Sequence, residues 1–194
     1  MTAPAFGSGL LLVLSLAIGG PLPGQDPRLA ERFPPTVAAQ LSATVDSASR
    51  EGLPPEPLVL RALEGQAKGA PVDQIVAAVG RLRDLLRAAH LTLGAAASPT
   101  ELTTAAAALQ AGLPQARLAE LHKLRGSLPV TAPLNAYLDL TARGAPADGA
   151  WSRISDLVRR RASDAEFVRL TPADIGHDKH SIRPAGTPDG KEPA

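Results

Sequence analysis

The sequence predicts an all-α fold of seven or eight short antiparallel helices, on three observations. Ala and Leu, both strong helix formers, supply 36 and 29 of the 194 residues, against 15 Ile and Val together. Apolar residues recur along the body at helical spacing. Gly-x-Pro tripeptides then divide the periodic segments: Gly52-Leu53-Pro54, Gly69-Ala70-Pro71, Gly112-Leu113-Pro114 and Gly144-Ala145-Pro146, with Ser127-Leu128-Pro129 as a variant. A Gly just past a helix end takes the left-handed conformation that caps the last carbonyls. A Pro at the first helical position lacks an N–H that would have had no intrahelical partner. Each tripeptide is therefore a tight corner, and such short links make consecutive helices direct neighbours.

Taken in order, Val37, Leu41, Val45 and Ala48 repeat at near-fourfold spacing and predict a helix over 35–51. A second follows over 55–68. Val72, Ile75, Val76, Val79, Leu82 and Leu86 form an apolar stripe that predicts 71–90. Ser98-Pro99-Thr100-Glu101 is a capping box with Pro at the first position, so a helix opens there and runs over 99–111. Leu118, Leu121 and Leu124 predict 114–125; Leu134, Tyr137, Leu138 and Thr141 predict 130–143. Trp151, Ile154, Leu157, Val158 and Ala162 give the last strong stripe, over 147–162. Ser163-Asp164-Ala165-Glu166 repeats the Ser-x-x-Glu spacing and opens a short helix over 164–170.

The corners also expose an internal duplication. Residues 51–86 lie on 126–161 without a gap, at a constant offset of 75. Leu63-Glu64, Ala67-Lys68-Gly69-Ala70-Pro71 and Asp73 fall on Leu138-Asp139, Ala142-Arg143-Gly144-Ala145-Pro146 and Asp148. Phe33-Pro34 resembles Leu113-Pro114 upstream. Two related three-helix units are expected, at 33–90 and 114–170, joined by a loop and helix over 91–113. With only two copies, closure into one compact domain is favoured over a short solenoid. The Glu64/Lys68 and Asp139/Arg143 pairs sit four apart, which stabilises a helix face and needs no functional explanation.

Both ends read differently from the body. The first 25 residues carry no charged side chain, and 10–18 read LLLVLSLAI before a Gly- and Pro-rich stop. That is the length of a signal-peptide core, and Ala17 and Gly19 provide the small residues a signal peptidase needs for cleavage near Gly19. A signal peptide over 1–19 and a linker over 20–32 are therefore expected. Export to the periplasm or exterior follows; an uncleaved segment would instead anchor the chain in a membrane. Arg outnumbers Lys 16 to 4 amid abundant Ala, Gly and Pro, a composition typical of a GC-rich bacterial genome. Thr171-Pro172-Ala173-Asp174 offers a cap for one turn, and the rest of 171–194, with few apolar side chains, is expected to be a disordered tail.

Little chemistry is legible. The absence of Cys excludes disulfides, thiolate metal sites and lipid modification of an N-terminal Cys. A net charge of +1 without a basic cluster gives no nucleic-acid footprint. No nucleophile elbow, phosphate loop, dinucleotide fingerprint or His-Glu-x-x-His occurs. His177-Asp178-Lys179-His180 is the densest set of ligand types, but a structural zinc site wants four organised ligands. No catalytic, cofactor or metal residue is assigned. The side chains offered for interaction are Trp151, as an aromatic anchor, and Arg159, Arg160 and Arg161, as an anion-facing helix end. The expected function is that of an exported, non-enzymatic component of the cell envelope with a protein partner. The alternatives are an extracytoplasmic binder of a small or lipidic ligand, and an enzyme with a site formed by residues distant in sequence.

Overall fold

A computed structural model describes residues 26–175. The expected signal segment and the His177–His180 cluster lie outside the described residues. Among the described residues every regular element is helical, as predicted: α1 (Pro27–Arg32), α2 (Pro35–Arg50), α3 (Glu56–Ala67), α4 (Val72–Leu93), α5 (Pro99–Gln110), α6 (Gln115–Arg125), α7 (Thr131–Ala142), α8 (Ala147–Arg159), α9 (Asp164–Val168) and a closing 3-10 turn (Pro172–Asp174).

The stretch 20–32, expected as a linker, contains α1. Asp26 caps it by accepting the Arg28 N–H at 2.9 Å, with Pro27 at the first position. Only Leu29 is buried on this single turn and a half, so it has no periodicity to detect. Tertiary contact holds it, because Arg28 bridges Asp26 and, at 2.7 Å, Glu56 on α3. Helix α4 runs past its expected end at 90 to Leu93, where Gly94 at φ +83° stops it.

The corners have one construction. After α2, the Gly52 N–H bonds the Ser49 carbonyl and the Leu53 N–H reaches back five residues to Ala48. The same pair of bonds recurs at Gly69/Ala70, Gly112/Leu113 and Gly144/Ala145, with each Gly at positive φ. This is the Schellman arrangement, and the residue after Gly turns inward. Leu53, Leu113 and Ala145 are buried accordingly. Three of the four prolines differ from expectation by one position, and Pro54 lies two before Glu56. Pro71, Pro114 and Pro146 precede the first helical residue, and their carbonyls accept the opening bonds from Ile75, Leu118 and Ala150. The variant Ser127-Leu128-Pro129 is a looser link, with Gly126 as the cap and Leu128 left 57 % exposed.

A fifth corner of this type follows α8, and it has no glycine. The Arg161 N–H bonds Val158 and the Ala162 N–H bonds Leu157, which places Arg161 at φ +56°. It is the only non-glycine residue at positive φ among the described residues. A left-handed L-residue costs about 1–2 kcal/mol. Part of any gain on replacement is returned as unfolded-chain entropy. Arg161→Gly is expected to raise unfolding free energy by about 0.5–1 kcal/mol, read as a higher denaturant midpoint with unchanged slope.

The two units match beyond their corners. Helices α3 and α7 have bounds 75 residues apart, as do the starts of α4 and α8. Lys68 bonds Glu64 at 2.6 Å, and Arg143 bonds Asp139 at 3.0 Å. The units part company at their ends: α4 has 22 residues and α8 only 13, because the chain turns at Arg161 and returns as α9. Helices α2, α4, α6 and α8 are successive neighbours, α5 lies between α4 and α7, and α9 packs on α7 and α8. One contiguous core runs from Leu29 to Leu170. Ala48, Ala89, Ala105, Ala106, Ala108 and Ala150 are fully buried in it, so helices approach closely on small side chains.

Candidate functional site

Trp151 belongs to the core. It is 8 % exposed on α8, and its ring carries the Arg117 guanidinium 5.6 Å from the centroid. Arg117 is itself bonded to Asp148 at 2.8 Å. The three arginines do not act as one surface. Arg159 pairs with Glu120 at 3.0 Å and Asp156 at 3.4 Å, Arg160 with Glu166 at 3.4 Å, and Arg161 is the corner residue. Two of the three thus have carboxylates from this chain, and the third is placed by backbone geometry.

The return of α9 after Arg161 creates a groove that no local motif announces. It lies between α7 and α9 and encloses about 520 Å³. Ala132, Ala136 and Phe167 give it apolar walls, Asn135, Asp139 and Asp164 a polar rim, and Val168 stands on its lip 82 % exposed. Arg125 organises the α9 side. This buried guanidinium donates to the Pro129 carbonyl at 2.8 Å, meets Asp164 at 3.0 Å and lies 5.8 Å from the Phe167 ring centre. The Ser163–Glu166 capping box closes the start of α9. That box was the one sequence signal of a helix restart, and hence of a break before it.

A second cleft, of about 630 Å³, lies between α8 and the 3-10 turn, beside Ser152, Arg153 and Asp156. The Arg153 Nε is buried without a hydrogen-bond partner among the described residues. On the first unit, two smaller hollows of about 210 and 140 Å³ share Arg61, Ala78 and Arg81 between α3 and α4. None of these arginines was singled out by the sequence, because each sits at an ordinary helix-surface spacing.

Glu101 connects the units. Its carboxylate accepts from the Ser98 N–H and hydroxyl and, at 3.2 Å, from the Val130 N–H ahead of α7. Burial pushes its pKa up, but those three bonds outweigh burial and hold it below the usual range. The buried polar side chains are scattered over α2, α6 and α8 as Ser42, Arg125 and Ser155. No group of three or more His, Asp or Glu side chains suited to a metal ion occurs among the described residues. No helix among them is long and apolar enough to cross a membrane.

Tyr137 is the most deeply set titratable group. It is 1 % exposed, burial pushes its phenol pKa up, and its hydroxyl has no hydrogen-bond partner among the described residues. An unsatisfied buried hydroxyl costs about 1–3 kcal/mol. Tyr137→Phe keeps the ring and removes that cost, so it is expected to stabilise by about 1 kcal/mol or more. A lowered thermal midpoint would mean the hydroxyl is satisfied by bound water. No protein-family model matches the chain, and no curated protein or solved structure matches it either.

Proposed function

We propose that this chain is an exported, non-enzymatic helical protein of the bacterial cell envelope that binds another protein. The observation that carries this reading is the α7–α9 groove. It combines apolar walls, a polar rim and an exposed Val168 at its lip on a helical frame. Apolar anchors inside a polar rim are what protein-recognition surfaces use. Export is supported by the apolar run at 10–18 and the small residues before Gly20.

The test is a photo-crosslinking side chain placed at Asn135, on the groove rim, and at Gln40, exposed on α2, in the producing cell. A discrete adduct from Asn135 and none from Gln40 is expected; no adduct at Asn135 overturns the groove as a recognition surface. N-terminal sequencing of the mature protein should begin near Gly20, and an intact Met1 in the membrane fraction would contradict cleavage.

The groove volume also favours a second reading, a binder of a small or lipidic ligand, since such sites span roughly 300–1,000 Å³. Native mass spectrometry of the purified protein separates the two, because a retained small mass lost on Ala136→Trp supports the ligand reading.

A further inference from the structure

The offset of 75 relates the clefts of the two units. Arg61 and Glu64 of α3, and Lys68 at its end, fall on Ala136, Asp139 and Arg143 in the α7–α9 groove. Gln74, Ala78 and Arg81 of α4 fall on Gly149, Arg153 and Asp156 in the cleft beside the 3-10 turn. In the second unit this surface is met by the chain's own C-terminal segment. Phe167 of α9 faces α7, and Ile175 lies so close over Gly149 that a Cβ there would come within 2.5 Å of it. In the first unit α4 runs straight on to Leu93, and among the described residues the returning α5 lines this surface only with its last residue, Gln110. The rest of the lining comes from α3, α4 and the corner between them, with Ala78 and Leu85 partly buried in its floor.

The exchanged residues change its charge. Asp139, Arg143, Arg153 and Asp156 balance to zero, whereas Arg61, Glu64, Lys68 and Arg81 leave a net charge of +2. Glu64 is engaged by Lys68 at 2.6 Å and only loosely by Arg61 at 3.7 Å. Arg81 is exposed and has no ion-pair partner among the described residues. The segment that meets the equivalent surface carries Asp164, Glu166 and Asp174 around Phe167 and Leu170. The first unit therefore offers a surface at the matching place in the repeat, less covered among the described residues and more basic.

We propose that the α3–α4 cleft binds an acidic, amphipathic segment of a partner protein. Its apolar side chains would rest on Ala78 and Leu85, and its carboxylates would meet Arg61 and Arg81. The inference rests on the reading of the chain as a protein binder, but it concerns a different surface from the α7–α9 groove.

The probe is a fluorescein-labelled synthetic peptide with the sequence of residues 163–175 carrying Arg169→Glu, titrated with the full chain and read by fluorescence anisotropy. Saturable binding is expected. It should weaken about tenfold or more with Arg81→Glu or Lys68→Glu, and also as salt is raised, as electrostatic complementarity requires. Both positions are exposed, and circular dichroism confirms that the variants fold. Asn135→Arg, on the other groove, should leave the affinity unchanged. Absence of saturable binding, or binding indifferent to the charge reversals, overturns the proposal. So does Arg81-dependent binding to phosphatidylglycerol–phosphatidylcholine vesicles that exceeds binding to the peptide, which would assign the cleft to a membrane surface. Self-association abolished by Arg81→Glu would assign it to a second copy and overturn it equally. Peptide binding that fails while Asn135 still crosslinks removes the α3–α4 cleft and leaves the broader reading standing.

Discussion

Trp151→Ala is expected to destabilise the protein by about 3–5 kcal/mol, the range for removing a large buried aromatic. The side chain is 8 % exposed, and its neighbours on α8, Ala150 and Ile154, are buried with it. The truncation leaves a void among α6, α7 and α8 and removes the platform under Arg117, whose ion pair with Asp148 then lies over empty space. For a chain of this length the loss lowers the thermal midpoint by roughly 6–20 °C. Circular dichroism is the readout, because Trp151 is the only tryptophan. Trp151→Phe keeps most of the volume and should recover much of the loss. An aromatic partner anchor would behave in the opposite way, with stability unchanged and only binding lost.

The same residue shows how far the sequence could be read. The stripe Trp151, Ile154, Leu157, Val158 and Ala162 placed a buried helix face; the first four side chains are in the core, and Ala162 is partly buried against it. Periodicity sees one helix at a time, so it could not distinguish a core tryptophan from an anchor. The corner chemistry was legible for a similar reason. Gly and Pro act within three or four residues, and Gly52, Gly69, Gly112 and Gly144 all take the positive φ their positions implied. Arg161 takes the same conformation with no glycine to announce it, because the pull of the core on Ala162 and the capping box at Ser163 decide the turn from both sides. The grooves were illegible because they depend on that turn. Asp164 and Val168 come to face α7 only once α9 has folded back, and nothing local records the distance. Helix α1 was missed for want of length: its stabilising partner, Glu56, is 28 residues away.

Phe167→Ala is expected to have an effect of similar size, about 3 kcal/mol or more, but distributed differently over the chain. Helix α9 has five residues, too few to persist without tertiary support. Its attachments are Phe167 at 1 % exposure, Leu170 at 7 % and the contacts of Arg125. Losing the ring removes the largest of these and the partner of the Arg125 guanidinium. The space left opens directly into the 520 Å³ groove, so water enters and α9 detaches instead of the core collapsing around a void. Hydrogen exchange should show protection lost over 164–175, while α2 to α5 keep theirs, since local opening follows the elements with the fewest buried contacts. Arg125→Met is the informative companion. It removes the bonds to Pro129 and Asp164 but keeps an apolar stem against Phe167, and the Asp164 side chain is already 64 % exposed and stays solvated. It should therefore cost less than Phe167→Ala and leave α9 protected. If the two variants instead open α9 equally, the bonds of Arg125 hold the C-terminal segment on the second unit as firmly as the aromatic ring does.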